Sequence, residues 1–361
     1  MKKFSDRFLC LHEGELYCRP NRIWYLECLR VLAMLSVIAF HVGKTALTDF
    51  DSTLFSYAGF LAVRNVVHFA VPIFFMISGA LLLNPEKTIT IERLCKRYLL
   101  KYFTITLVFS GGYACIEQIF NQKAITAEGI LIGLDNMLHG ESWAHMWYMY
   151  ALLWVMMLIP FLRLAAEKFG KAEIRCTIAF VLLFVSFTAV INAYSKKELG
   201  ITYPVNFIYC FYMLMGYWIH NNVIRIRKKY CLLAISCSVL ALIIFGFVDI
   251  YGIANCEPWI GNQSPLIVIY SVSLFALGKQ IIKEEAENSM IYKVITILSA
   301  YSFPIYLIHM FWLNILYKAV KLNPFLPVPV IGFSVIYVIV FVLSLISAVI
   351  LKKIPIVSKM F

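Results

Sequence analysis

Three residues near the beginning of the chain, Glu27, Arg30 and His41, could do chemistry although they lie in or beside an apolar run. Glu27 and Arg30 are three residues apart, so they can form an ion pair on one helix face. Arg30 and His41 are eleven apart, about three helical turns, so both point to one side roughly 16 Å apart along the axis. The spacing predicts a polar stripe with a cation at one end and an imidazole, a candidate general base, at the other. Alternatively, Arg30 extends to lipid headgroups and His41 marks the helix end.

A second polar pair interrupts the next apolar run. Arg64 and His68 are four residues apart and share a helix face, in a segment that continues through Pro72 to Ser78. Because a charge inside lipid costs at least about 2.5 kcal/mol, such residues usually face a cavity or a partner. The two pairs together predict a polar cavity between neighbouring helices, into which Pro72 and Pro304 can free backbone carbonyls.

Two later runs also hold groups that could do chemistry: His145, Trp147 and Tyr148 at the start of one, and Ser302, Tyr306 and His309 along one side of the other. For the first group the alternative is an aromatic belt at the membrane interface. For the second, the alternative to a catalytic His309 is a packed, hydrogen-bonded histidine. Both interpretations stay open at this point.

The composition sets the elements that must position these residues. Hydrophobic residues make up 61% and charged residues 14% of the 361, whereas soluble domains average about 45–50% and about 25%. Only helices and closed barrels span lipid, and the apolar runs are too long and uniform for barrel strands. We therefore predict an all-α, polytopic integral membrane protein with about ten spanning helices. The runs lie near residues 24–43, 57–83, 98–120, 146–166, 176–194, 203–222, 230–250, 263–282, 294–318 and 328–351.

The cations predict the orientation of these helices. Of the 32 Lys and Arg, 24 lie in alternate polar segments that include both termini, and six lie in the intervening segments. Since cytoplasmic loops carry the excess of Lys and Arg, both termini are predicted to be cytoplasmic. The same rule explains the net charge of +12 without nucleic acid. The domains are then a tail at 1–23, a membrane domain at 24–351 and a tail at 352–361. The ten cysteines show no metal-ligand spacing or disulfide framework.

Four segments in order resemble the signatures of the membrane acyltransferase-3 family. They are Arg30 with His41 after ten intervening residues, residues 71–79 (VPIFFMISG), the segment from His145 to Pro160, and residues 302–309 (SFPIYLIH). They occur in the order of the family's signatures over residues 24–351, nearly the whole chain. The family usually has Asp at the position of Glu27 and often has Arg at that of His68.

The resemblance implies a membrane O-acyltransferase of the cell membrane of a bacterium. Such proteins transfer an acyl group, usually acetyl, from cytoplasmic acyl-CoA to a hydroxyl of a surface glycan, lipid-linked sugar or related acceptor. Acyl-CoA is then a co-substrate, with no bound cofactor or metal, and the partners are membrane lipid and the glycan. The predicted site comprises His41, His68 and His309 for catalysis; Glu27, Arg30, Arg93, Lys96 and Arg97 for the donor; and Arg64, Ser78, His145, Trp147, Tyr148, Ser302 and Tyr306 around the acceptor.

Physical chemistry accords with these roles and leaves rivals. A thioester is already activated, so the protein must hold the acyl carbon and deprotonate the acceptor, a task that suits His41. Arg64, His68 or a tyrosine hydroxyl could stabilise the tetrahedral intermediate. Arg30 and the basic edge from Arg93 to Arg97 would bind phosphates, although the positive-inside rule alone also explains that edge. The rival functions are a transporter or flippase for a polar or lipid-linked solute, whose repeats we do not find, and a sensor without turnover.

Overall fold

The structure is a computed structural model that describes residues 22–51, 53–86, 89–195, 206–251, 253, 255–285, 289–358 and 360. Within these residues it is helical and has no strand, which confirms the all-α prediction. The helices are α1 (Trp24–Asp49), α2 (Leu54–Leu82), α3 (Ile91–Gln122), α4 (Ala127–Leu138), α5 (Trp147–Met157), α6 (Ile159–Lys168), α7 (Lys171–Phe180, continued by Val181–Ser186 and Phe187–Tyr194), α8 (Phe207–His220), α9 (Lys228–Ile250), α10 (Pro265–Ile281), α11 (Met290–Ala319), α12 (Pro329–Lys353) and α13 (Pro355–Ser358).

Seven of the helices in the described ranges are long and apolar enough to cross a membrane: α1, α2, α3, α7, α9, α11 and α12. The number becomes eight if α5 and α6, which meet at a bend of 60°, form one crossing. The remaining two predicted spans correspond to α8, with 14 residues, and α10, with 17 residues. Both are shorter than the roughly 20 residues that a full crossing needs. The predicted span at 203–222 also begins outside the described residues.

Helix α1 is the central element of the fold. Its 26 residues extend for about 39 Å, more than the roughly 30 Å of a hydrocarbon core. It packs against α2, α10, α11 and α12, and small and aliphatic residues such as Leu29, Ala33 and Val42 are fully or almost fully buried in these contacts. The charged residues and the histidine of α1 lie toward its two ends, so the helix joins two polar regions through a middle that is apolar except for Ser36.

A close crossing of α2 and α8 fixes one wall of the bundle. A Cβ atom on Gly79 would lie 1.9 Å from the carbonyl oxygen of Met213, and one on Gly216 would lie 2.0 Å from that of Met76. The backbones can approach this closely because neither position has a side chain. The crossing holds the end of α2, which carries Ser78, against the rest of the bundle.

Helix α4 lies in a segment for which the sequence predicted no element. Thr126 caps it by accepting a hydrogen bond from the amide of Gly129 at 2.9 Å. Gly133 of α4 packs against the backbone of Cys115 in α3. The exposed side chains of Leu131 and Leu138 lie on a short amphipathic helix, which is typical of an element at a membrane surface.

Candidate active site

A large cavity of about 1200 Å³ lies at the N-terminal end of α1. It exceeds the roughly 300–1,000 Å³ of most small-ligand clefts. Five cations and one carboxylate contribute to its lining: Arg22, Glu27, Arg30, Lys101, Lys352 and Lys353. Residues of α2, α3, α5, α11, α12 and α13 complete it, and two of their tyrosines, Tyr148 and Tyr306, border it on the side of the protein interior. The cavity therefore combines a basic mouth with an aromatic inner end.

Arg30 is held in this cavity by polar contacts with two helices. Its Nη1 atom lies 3.3 Å from Oε1 of Glu27 on α1 and donates to Oγ of Ser299 on α11 at 3.2 Å. Arg22 also lies within ion-pair distance of Glu27, at 3.7 Å. Because one carboxylate serves two guanidinium groups, the region keeps an excess of positive charge that suits an anionic ligand.

Pro304 in α11 explains the position of another cation of the large cavity. A proline inside a helix has no amide hydrogen for the carbonyl four residues earlier, which is that of Ala300. Nζ of Lys352 donates to this freed oxygen at 2.7 Å and lies 4.2 Å from the centre of the Tyr301 ring. The carbonyl that Pro304 was predicted to free is therefore hydrogen-bonded by a side chain of α12 at the cavity wall.

A small cavity of about 340 Å³ lies at the other end of α1. Its charged lining is mixed: Lys44, Asp49, Glu117, Glu141 and Lys318. Its uncharged polar lining is Thr45, Thr48, Asn136, Ser142 and Asn314. His41 also lines it, so the predicted imidazole and Arg30 face different cavities from one helix.

Glu117 organises one side of the small cavity. It accepts a hydrogen bond from Nε1 of Trp143 at 2.7 Å and pairs with Lys318 at 3.4 Å. The Trp143 ring stacks on Tyr113 with the ring centres 4.3 Å apart. A carboxylate, a tryptophan ring and amide groups around a small space form a surface that can bind hydroxyl-rich molecules through hydrogen bonds.

Three buried histidines, from α1, from the turn before α5 and from α11, meet between the two cavities. We call His41, His145 and His309 the histidine cluster. The ring of His309 is 5.2 Å, centre to centre, from both His41 and His145, and the other two rings are 6.4 Å apart. His145 and His309 line neither cavity, but their rings lie 5.6 Å and 5.8 Å from that of Tyr306, which borders the large one. The cluster and Tyr306 therefore form the wall between the cavities.

Hydrogen bonds to backbone carbonyls determine the proton positions on two of these rings. Nδ1 of His309 lies 2.5 Å from the carbonyl oxygen of Tyr306, and Nε2 of His145 lies 3.1 Å from that of Leu307. A carbonyl can only accept, so each of these nitrogens carries the hydrogen. In the neutral rings the lone pair is then on Nε2 of His309 and on Nδ1 of His145, and both atoms are buried without a hydrogen-bond partner.

Two tyrosine hydroxyls make further hydrogen bonds within the wall between the cavities. Tyr306 donates to the carbonyl oxygen of His145, and Tyr113 donates to that of Leu307 at 2.7 Å. The first bond ties the turn before α5 to the middle of α11, and the second ties α3 to the same part of α11. Among the residues that the structure describes, no group of three or more His, Cys, Asp or Glu side chains is arranged to hold a metal ion. The imidazole rings of the cluster offer lone pairs and N–H donors.

A family model described as an acyltransferase domain, Acyl_transf_3, matches residues 23–353. The chain belongs to the acyltransferase-3 family. It is thus an acyltransferase, a transferase of groups other than aminoacyl groups, and a multi-pass membrane protein. Comparisons with curated proteins and with solved structures returned no match.

Several residues predicted for the acyltransferase site do line a cavity. Glu27, Arg30, Ser78, Tyr148, Ser302 and Tyr306 line the large one, and His41 lines the small one. His145 and His309 belong to the histidine cluster. Ser78 and Ser302 donate to carbonyl oxygens of their own helices at 2.9 Å and 2.8 Å, so their hydroxyls are directed at the backbone.

Other predicted site residues of the acyltransferase line neither cavity. Arg64 pairs with Glu257, in the segment between α9 and α10, at 2.8 Å. His68 lies in a short 3₁₀ segment of α2, Val67–Phe69, and its ring lies 5.2 Å from that of Phe40. The ring of Trp147 packs 5.7 Å from that of Tyr209. The structure does not bring these three residues to the cavity of Arg30.

The three residues of the predicted basic edge do not line the large cavity either. Arg93, Lys96 and Arg97 are exposed, and Lys96 pairs with Glu92 at 2.7 Å. Lys101, one turn further along α3, lines the cavity instead.

Sequence reasoning missed several residues of the two cavities. Four cations that line the large cavity were assigned from sequence only to cytoplasmic segments: Arg22, Lys101, Lys352 and Lys353. Glu117 was the available signal for the small cavity, since it is a carboxylate near the end of a predicted span.

Proposed function

We propose that this acyltransferase moves an acyl group, acetyl in the simplest case, from cytoplasmic acyl-CoA to a hydroxyl of a cell-surface glycan or lipid-linked sugar. The observation that carries the proposal is the pair of cavities at opposite ends of α1, with the histidine cluster between them. A donor and an acceptor that arrive from opposite sides of a membrane need such an arrangement.

The large cavity is the proposed donor site. Coenzyme A carries several phosphates, and the cavity lining has five cations against one carboxylate. Arg30 would bind a phosphate as a planar donor, oriented by Glu27 and Ser299. The thioester would then extend toward Tyr148 and Tyr306, away from the basic mouth.

The small cavity is the proposed acceptor site. Its amides, hydroxyls and carboxylates can bind a hydroxyl-rich group, and His41 is the base that removes the proton of the attacking hydroxyl. An alcohol is a weak nucleophile until that proton is removed, and a neutral imidazole can accept it near pH 7. Lys44, one turn along α1 from His41, supplies positive charge near the oxyanion that forms.

The proposed orientation follows from the cations. With the N-terminus in the cytoplasm and ten crossings that include the short helices α8 and α10, the excess of Lys and Arg lies on the cytoplasmic side. One domain over residues 24–351 then lies in the bacterial cytoplasmic membrane, with the large cavity on the cytoplasmic side.

A cysteine introduced at Lys123, in a background without reactive thiols, should react with an impermeant reagent in intact cells. Reaction only after lysis would contradict this orientation.

Transfer by the purified protein tests the function. The protein in nanodiscs is mixed with acetyl-CoA and with glycans extracted from the cell envelope, and free thiol and acylated glycan are both measured. We expect thiol release that depends on the glycan, and an acyl ester on a glycan hydroxyl. Movement of a solute across vesicles without thioester cleavage would instead identify a transporter.

A further inference from the structure

The wall between the cavities poses a problem for direct transfer. His41 faces the small cavity, Tyr306 borders the large one, and the rings of His145 and His309 lie between them. A thioester in one cavity and a hydroxyl in the other are separated by these side chains. An acyl group must therefore either wait for the wall to open or be carried by a group in the wall.

His309 has the properties of such a carrier. Its ring is in reach of both sides, 5.8 Å from Tyr306 and 5.2 Å from His41. It is completely buried, and its Nε2 has no hydrogen-bond partner. The bond from Nδ1 to the carbonyl of Tyr306 leaves the lone pair on Nε2. An unpartnered buried lone pair costs free energy in a folded protein, which calls for an explanation.

His145 is the rival carrier and is less suited to the task. Its free lone pair is on Nδ1, next to its own Cβ, because Nε2 donates to Leu307. Attack on a carbonyl carbon is sterically easier from Nε2, which has no substituent beside it. The ring of His145 is also farther from His41, at 6.4 Å.

We propose that His309 carries the acyl group through the wall as an Nε2-acyl imidazole, so that transfer occurs in two steps. This inference rests on the proposed function. In the first step the Nε2 lone pair forms a bond to the acyl carbon, the carbon–sulfur bond breaks, and coenzyme A leaves as a thiolate. The acylated ring is cationic, and the carbonyl of Tyr306 accepts the hydrogen bond from its Nδ1.

The second step transfers the acyl group from His309 to the acceptor. His41 takes the proton of the acceptor hydroxyl, the oxygen attacks the acyl carbon, and the electron pair of the carbon–nitrogen bond returns to Nε2 of His309. The products are an ester and a free imidazole, while the thiolate gains a proton from water in the large cavity. His41 then releases its proton to the small cavity.

The first step can be measured without any acceptor. If it is reversible, isotopically labelled coenzyme A should exchange into acetyl-CoA when the purified protein in nanodiscs is the only other component. Direct transfer predicts no such exchange. In addition, a rapid acid quench of the wild type with acetyl-CoA should yield the peptide that contains His309 with the mass of one acetyl group added.

Matched variants identify the carrier. His309→Asn keeps a donor near the position of Nδ1 but removes Nε2, and we expect exchange to fall to the level without protein. His139→Gln, at an exposed residue just after α4, is the control and should exchange like the wild type. His145→Gln keeps a donor near the position of Nε2 but removes the lone pair of Nδ1, so exchange that is lost in this variant and survives in His309→Asn would assign the carrier to His145 instead. His41→Gln should lose transfer to the glycan while exchange continues, because the base acts only in the second step. Binding of acetyl-CoA is measured for each variant to confirm that it is folded.

Each contrary result is informative. A wild type that acylates glycans but shows neither exchange nor an acylated peptide overturns the carrier and leaves the proposed function intact. Exchange that survives in His309→Asn overturns the assignment to His309. A wild type that neither binds acetyl-CoA nor transfers its acyl group overturns the proposed function and the carrier together.

Discussion

The two ends of α1 differ in both size and charge. The cavity around Arg30 has a volume of about 1200 Å³ and a strongly basic lining, whereas the one around His41 has about 340 Å³ and nearly balanced charges. A large basic site can bind a long, multiply charged ligand such as a coenzyme A thioester, while a small mixed site can bind only part of a polar molecule. In the proposed function, one helix presents a binding residue and a catalytic residue to two different ligands, so substitutions at the two ends should have separable effects.

The largest effect is expected at the small cavity. His41→Ala should lower turnover by about 10²–10⁴, the usual range for loss of a general base, and leave acetyl-CoA binding near that of wild type. His41→Gln should be as inactive, since it can donate and accept hydrogen bonds but not take the proton. Steady-state transfer assays with calorimetric measurement of donor binding check this. Turnover above about a tenth of wild type would move the base role to another residue.

The wild type should also lose turnover as the pH falls, because an imidazolium ion has no lone pair with which to accept the proton. The loss should reverse when the pH is raised again. A residual activity of His41→Gln that falls in parallel with pH would show that a different group is responsible.

The next largest effect is expected at the large cavity. Arg30→Ala removes a charge-assisted contact worth about 1.5–3 kcal/mol, so acetyl-CoA binding should weaken by roughly tenfold to more than a hundredfold. Arg30→Lys should restore only part, because an ammonium group replaces a planar fork. Arg93→Ala is the control, since Arg93 is exposed outside the cavity. If Arg30→Ala and Arg93→Ala bind acetyl-CoA equally well, Arg30 contributes no more to donor binding than an exposed cation does, which contradicts the proposed donor site.

The smallest effect is expected at the rim of the small cavity. Glu117→Gln keeps an acceptor for Trp143 but loses the ion pair with Lys318. The side chain of Glu117 is one-third exposed. Partly exposed pairs contribute about 0–1 kcal/mol, so the KM for the acceptor should rise by no more than about fivefold. The dissociation constant of acetyl-CoA should not change. A change in the affinity for acetyl-CoA without a change in the KM for the acceptor would instead assign the small cavity to the donor and the large cavity to the acceptor.

Apolar runs were sufficient to predict the seven long helices, and the helical repeat predicted the polar stripe of α1. The helical repeat alone puts Arg30 and His41 on one side of a helix, and the structure gives each a cavity. Helix α4 could not be predicted in the same way, because its apolar residues occupy one face of only 12 residues. Its position depends on contacts with α3 that have no local signal.

The histidine cluster depends on tertiary packing. His41, His145 and His309 are more than one hundred residues apart in sequence, and nothing in their spacing indicates that they meet. The same limit explains Arg64, whose partner Glu257 lies in a distant segment, and Lys352, whose role depends on Pro304 in another helix. Sequence identified most of these groups as unusual, and packing decided which of them share a site.

The wall between the cavities also has an electrical consequence. In the proposed orientation, His41 releases the acceptor proton on the outer side, whereas the coenzyme A thiolate gains a proton on the cytoplasmic side. Each turnover then moves one positive charge outward, against a membrane potential that is negative inside. The work is about 2.3 kcal/mol per 100 mV for one charge. Surface acylation by this protein would therefore work against the same gradient that drives transport, and it should become easier when the membrane is depolarised.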